Sequence, residues 1–175
     1  MPIPSRLKDH LEQTHVPYSH VLHAPARSSQ YAASLIHVPG KEVAKTVVVR
    51  AGEQVLLAVL PASFHVNVEK LATCAGATAQ LMEEDEFFKL FPDCEPGAIP
   101  PFGELYGFPV YLDKVLAEDA EIVVSAGSLS EGIRMRTADF VRLAHPRLCS
   151  FADPGEVSRR RDQETDLGRE FGGGK

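Results

Sequence analysis

The chain has 175 residues, 44% of them hydrophobic and 24% charged, the balance of a soluble globular protein with enough length to bury one core. Its formal net charge of -6 argues against coating nucleic acid by bulk electrostatics, which needs a basic excess, so a nucleic-acid partner must be held locally. The longest apolar run, Val55 to Pro61, is far shorter than the roughly 20 residues of a membrane span, and Met1 to His10 lacks an apolar signal core. A cytoplasmic protein with no membrane partner is expected.

Ile3, Leu7 and Leu11 recur every fourth residue, which predicts an amphipathic helix from Ser5 to His15, ending before Pro17. A second helix is predicted from Ser28 or Ser29 to His37, with the serines as caps and Pro39-Gly40 as the stop. Lys45 to Arg50 and Val55 to Leu60 then read as a hairpin around Ala51-Gly52-Glu53-Gln54. Both runs are apolar at successive positions, so both faces of their sheet should be covered. Asn67 caps a predicted helix carrying Val68, Leu71, Ala72 and Ala75 on one face, and Gly76 follows where a left-handed residue belongs. Glu83 to Phe91 reads as a further short helix. Pro92 to Pro109 holds too many prolines and glycines for a regular element. Short strands are predicted at Val110 to Leu112, Ile122 to Ser125 and Ile133 to Arg136, and Thr137 as the cap of a last helix reaching Ala144. Hydrophobic residues nearly vanish after Phe151, which predicts one domain over residues 1–151 and a disordered tail over 152–175.

Cys74, Cys94 and Cys149 stand alone without a CxxC pair, so they are expected to be reduced and structural, with no disulfide framework and no thiolate zinc site. HExxH, Walker and GxGxxG signatures are absent, and Ser128-Leu129-Ser130-Glu131-Gly132 lacks the first glycine of a GxSxG elbow. The scattered histidines form no ligand set, and no metal or organic cofactor is called for. Three features stand out. Lys45 opens a strand that otherwise reads as interior, as a functional cation or as a side chain snorkelling at a strand end. The loop Gly97-Ala98-Ile99-Pro100-Pro101-Phe102-Gly103 fixes a rigid backbone, as a ligand wall or as a plain turn. Val124-Ser125-Ala126-Gly127-Ser128 runs a strand into small residues, which exposes backbone N–H groups for an anion or simply ends the strand.

These segments, in this order, resemble the YbaK family of aminoacyl-tRNA deacylases, relatives of the editing domain inserted in some bacterial prolyl-tRNA synthetases. The resemblance runs from about Tyr18 to Leu143. It rests on His23-Ala24-Pro25 followed by Ser28-Ser29, Ala44-Lys45-Thr46, Leu60-Pro61-Ala62, the Gly97 to Gly103 loop, Pro109 to Asp113 and Ser125-Ala126-Gly127-Ser128. It implies an α+β fold in which a strongly bent mixed β-sheet, or a barrel-like core, is surrounded by helices. It implies hydrolysis of the ester of a mischarged tRNA by a free-standing editor, with the 3′-terminal adenosine and a small amino acid as the bound groups. Lys45, Gly127 and Ser128 fall on the catalytic positions. His23, Ser28, Ser29, Gly97, Ala98, Pro100, Gly103 and Ala126 fall on the substrate-binding ones. The other reading of the same pocket is a noncatalytic module binding tRNA or an aminoacyl-tRNA synthetase.

Overall fold

The helix read from Ile3, Leu7 and Leu11 is α1, Ser5–Thr14, in a computed structural model of the chain that describes residues 3–155. Leu7 and Leu11 are buried, and His15 closes the helix in the left-handed conformation. Strand β1, Ser19–Leu22, follows; it is a mostly exposed edge strand, so it lacks the apolar run that would announce it. Helix α2, Ser29–Leu35, is capped by the Ser28 hydroxyl accepting from the Tyr31 amide at 3.2 Å, and it ends two residues short of the expected His37.

Strands β2, Ala44–Ala51, and β3, Gln54–Pro61, pair antiparallel across Gly52, whose φ of 60° the turn requires. Their side chains divide between two cores, as a sheet covered on both faces demands. Ala44, Val48, Leu57 and Val59 join a core with Phe91, Phe102 and Phe140, whereas Val49, Leu56, Ala58 and Leu60 join one with Leu71 and Phe151. The chain continues through β4, Phe64–Val66, and α3, Val68–Ala75. Asn67 caps α3 through the Lys70 amide, and Gly76 takes φ 69° at its end, as expected.

Strand β5, Ala79–Leu81, precedes the segment expected to be helical from Glu83 to Phe91. That segment divides into α4, Glu84–Phe87, and one 3-10 turn, Phe88–Leu90. The breaker-rich stretch after it holds a second 3-10 turn, Gly103–Tyr106. Then come β6, Val110–Asp113, α5, Lys114–Ala117, β7, Glu121–Ser128, β8, Glu131–Arg136, and α6, Thr137–Ala144. Thr137 is not the cap of α6. That position is Arg136, which makes no side-chain cap bond; its guanidinium instead reaches the Asp139 carboxylate at 3.0 and 3.2 Å, while the Thr137 hydroxyl is buried with no partner among the described residues. Strands β9, Arg147–Cys149, and β10, Ala152–Pro154, complete the described chain.

A five-stranded sheet runs β5-β2-β3-β6-β9, with its last two pairings parallel, and a three-stranded antiparallel sheet runs β1-β8-β7. The sheet is mixed, and it does not close into a barrel. Strand β5 pairs only with Val49–Ala51, and where β2 begins the second sheet meets it through the single bridge Val43–Val123. The two sheets part there.

Two expectations are corrected. Cys74 on α3 and Cys149 on β9 form a disulfide, with Cα atoms 6.3 Å apart and 75 residues between them; folding alone brings such distant positions together, so spacing gave no hint of it. Only Cys94 is a free, buried thiol, and burial pushes its pKa up to about 11. The tail boundary at Phe151 is also too early, because Ala152–Pro154 pair with β4. Polar groups fasten this strand: the Asp113 carboxylate accepts from the Phe151 and Ala152 amides at 2.8 Å each, and Asp153 receives Asn67 and Lys70. A hydrophobicity reading is blind to such anchors. The remainder of the expected tail, from 156 onward, lies outside the described residues.

Candidate functional site

Where the sheets part, a cleft of about 400 Å³, open mouth included, is built from chain-distant segments. Its walls come from the arm and first turns of α2, from the loop at Gly97, from the start of β2, and from the β7–β8 hairpin. The hairpin is the hub. The Gly127 amide donates to the Ala98 carbonyl at 2.9 Å, the Glu95 amide donates to the Gly127 carbonyl at 2.8 Å, and the Leu129 amide donates to the Glu95 carboxylate at 2.6 Å. On its other side the Ser130 carbonyl accepts from His23 at 3.0 Å and the Leu129 carbonyl from Ala26 at 2.8 Å. These bonds lock both loops to one strand end, so the cleft is preorganised by backbone.

His23, Ser28, Ser29, Gly97, Ala98 and Ser128 all line the cleft. Gly97 has φ 87°, the left-handed region that glycine occupies without strain. The Ser128 hydroxyl, in a residue only 2% exposed, lies 3.1 Å from the Ser130 hydroxyl and accepts from the Ser130 amide at 3.3 Å. Among the described residues no histidine is a hydrogen-bond partner of either serine, so they show no nucleophile–base pair.

Lys45, Pro100, Gly103, Ala126 and Gly127 are not among the lining residues. Ala126 is wholly buried in the core. Gly103 opens the 3-10 turn, where an added Cβ would collide with the Phe108 carbonyl. Gly127 combines φ 86° with a site where a Cβ would sit 2.6 Å from Pro4 Cδ, and both its backbone polar groups are spent on the neighbouring loop. It shapes the cleft and has no free N–H for an anion. Lys45 neighbours Ala44, which does line the cleft; the two-residue period places the lysine on the opposite face, with Val47 and Val49. The ammonium is half-buried with no ion pair among the described residues, and burial holds its pKa below the usual lysine value.

Sequence reasoning missed Glu131, the one carboxylate among the described lining residues, and Glu95, whose carboxylate ties loop to hairpin. Neither belongs to a spacing motif; only the strand pairing reveals them. Among the described residues no group of three His, Cys, Asp or Glu side chains is placed to hold a metal ion.

Residues 23–143, which supply every lining residue, match the model of the aminoacyl-tRNA editing domain. The chain belongs to the aminoacyl-tRNA editing domain family. Two curated relatives, both named multifunctional Ser/Thr-tRNA deacylase ProXp-y, from Escherichia coli strain K12 and E. coli O157:H7, are each 35% identical over 100 residues. That match spans 56% of this chain and 59% of each relative. A solved structure described as a candidate trans-editing enzyme for prolyl tRNA synthetase superposes with a TM-score of 0.74 at 19% identity, covering 85% of this chain and 96% of that one. A hypothetical protein superposes with a TM-score of 0.78 at 17% identity, over 85% and 99%. These likenesses establish the editing-domain fold for this chain. No helix among the described residues is long and apolar enough to cross a membrane.

Proposed function

We propose that this chain hydrolyses the ester of a tRNA mischarged with a small amino acid, serine and threonine foremost. The observation that carries the reading is the cleft itself: within the editing domain its polar wall is made of Ser28, Ser29, Ser125 and Ser128, and its close walls of Ala98 and Gly132. Hydroxyls suit a hydroxylated side chain, which they can meet with hydrogen bonds. The name of the curated relatives, a Ser/Thr-tRNA deacylase, points the same way.

In the reaction a water attacks the carbonyl carbon of the aminoacyl ester, and the negative charge develops on the carbonyl oxygen. Collapse of the tetrahedral intermediate breaks the bond to the ribose oxygen, which takes up a proton and leaves as the tRNA 3′ end. Preorganised donors and a nearby cation stabilise such an oxyanion. We assign the cation to Lys45: it follows the cleft-lining Ala44, its half-buried ammonium has no ion pair among the described residues, and although β2 turns its Cβ to the other face, its flexible four-carbon stem can carry the charge round the strand end toward the ester. The test is deacylation of a panel of tRNAs charged with serine, threonine, alanine, cysteine and phenylalanine. The small residues are expected to be released fastest. Faster release of phenylalanine, or no hydrolysis of any ester, overturns the reading.

A further inference from the structure

An aminoacyl ester brings a cation with it, since its α-ammonium sits on the carbon next to the reacting carbonyl. Taking that charge into a partly dry cleft is unfavourable unless an anion receives it. Resting on the deacylase reading, we infer that Glu131 receives the α-ammonium of the substrate and thereby selects esters with a free amine.

The geometry carries this in three ways. Glu131 is the only carboxylate among the described residues lining the cleft, and no lysine or arginine lines it to compete. Its side chain has no hydrogen bond or ion pair among the described residues, so the charge is not already spent. Its backbone is fixed: Glu131 opens β8 between Leu22 of β1 and Ser128 of β7 in register, which places it across from the buried serine hydroxyl of the cleft. Glu131 also borders an adjoining groove lined by Lys8, Tyr18 and His20. It therefore stands where the cleft meets the adjoining groove.

The test removes the charge from either partner without adding bulk. Nitrous acid converts seryl-tRNA into its α-hydroxy counterpart, which is neutral and nearly the same shape. Single-turnover deacylation of both esters is measured with the parent chain, Glu131→Gln and Glu131→Asp, each rate divided by the uncatalysed hydrolysis of the same ester. The parent is expected to favour the amine ester by about 10-fold or more, the scale of one hydrogen bond to a charged group. Glu131→Gln should lower the rate for seryl-tRNA only and erase the preference, whereas Glu131→Asp should keep part of it. Because Glu131 has no side-chain partner among the described residues, thermal unfolding should be unchanged. Competition by a non-hydrolysable seryl-amide of adenosine, stronger against the parent than against Glu131→Gln, gives a second readout free of turnover. Equal losses on both esters would assign Glu131 to the attacking water and overturn the inference. A parent that hydrolyses seryl-tRNA without preference also overturns it and leaves the deacylase reading standing; a parent that hydrolyses nothing removes both.

Discussion

The β2–β3 hairpin and the cleft beside it are made by different physics. In the hairpin, Leu56, Leu57, Ala58, Val59 and Leu60 are all wholly buried on one continuous strand, and what holds them is contact between aliphatic side chains. In the cleft the walls come from segments about a hundred residues apart, and what holds them is backbone hydrogen bonding to Gly127, Leu129 and Ser130. The hairpin tolerates little change in volume. The cleft sets hydroxyls and one carboxylate among its aliphatic side chains, with Lys45 next to it in sequence. Stability and function should therefore separate under mutation.

The hardest challenge to that separation is Leu57→Ala. Leu57 is inaccessible to solvent and packs in the larger core with Val48 and Val110 as its sheet neighbours, so truncation should cost about 2 to 5 kcal/mol in a urea titration. The fraction that remains folded should deacylate at the parental rate. Loss of turnover in fully folded Leu57→Ala would show that core and cleft are coupled after all.

Lys45 sharpens the comparison from the other side, because it belongs to the hairpin yet opens beside the cleft. Lys45→Ala is expected to lower single-turnover deacylation by about 100- to 1,000-fold, the effect of deleting one electrostatic donor. Its unfolding should move by about a kilocalorie or less. Lys45→Arg keeps the charge in a broader planar group and should rescue only partly. The pH dependence follows from the lowered pKa. Between the folded value and the ordinary lysine value of 10.5 the unfolded chain holds a proton that the folded chain has lost, so this residue makes stability rise with pH across that window. Catalysis should do the opposite, falling as the cation fades, and Lys45→Arg should abolish that alkaline limb. A folded Lys45→Ala with parental turnover would return Lys45 to a snorkelling strand end.

The same contrast explains what the sequence made legible. The hairpin, the Asn67-capped helix and α1 were readable because periodicity and caps are local signals. His23, Ser28, Ser29, Gly97, Ala98 and Ser128, named from the family resemblance, line the cleft, while Gly127, which the resemblance sets on a catalytic position, donates its amide to Ala98. In a sequence a glycine next to a site reads alike whether a ligand or a proline ring approaches, and here Pro4 does. Strands β1, β4, β5, β9 and β10 escaped notice because they are three or four residues long and mostly half-buried or exposed. The Cys74–Cys149 pairing and Glu131 depend on tertiary placement alone.

The smallest expected effect belongs to Ser128, and it tests whether the cleft acts by surroundings or by a covalent nucleophile. Its hydroxyl is almost inaccessible, and its described partners are the hydroxyl and amide of Ser130. Without a histidine to take its proton the oxygen is a weak nucleophile at neutral pH. Alanine at this position removes one hydroxyl from the wall and leaves the Ser130 hydroxyl able to turn toward the space. Ser128→Ala is therefore expected to cost less than about 10-fold in single-turnover deacylation of seryl-tRNA, the range of one neutral hydrogen bond. Removing a true nucleophile costs on the order of 10,000-fold or more, so the two readings are far apart on one assay. Labelling of Ser128 by a fluorophosphonate, together with a collapse in the rate of Ser128→Ala, would replace the water mechanism with an acyl-enzyme one. Absence of labelling with a near-parental rate would leave water as the attacking group and the hairpin hydroxyls as part of the wall.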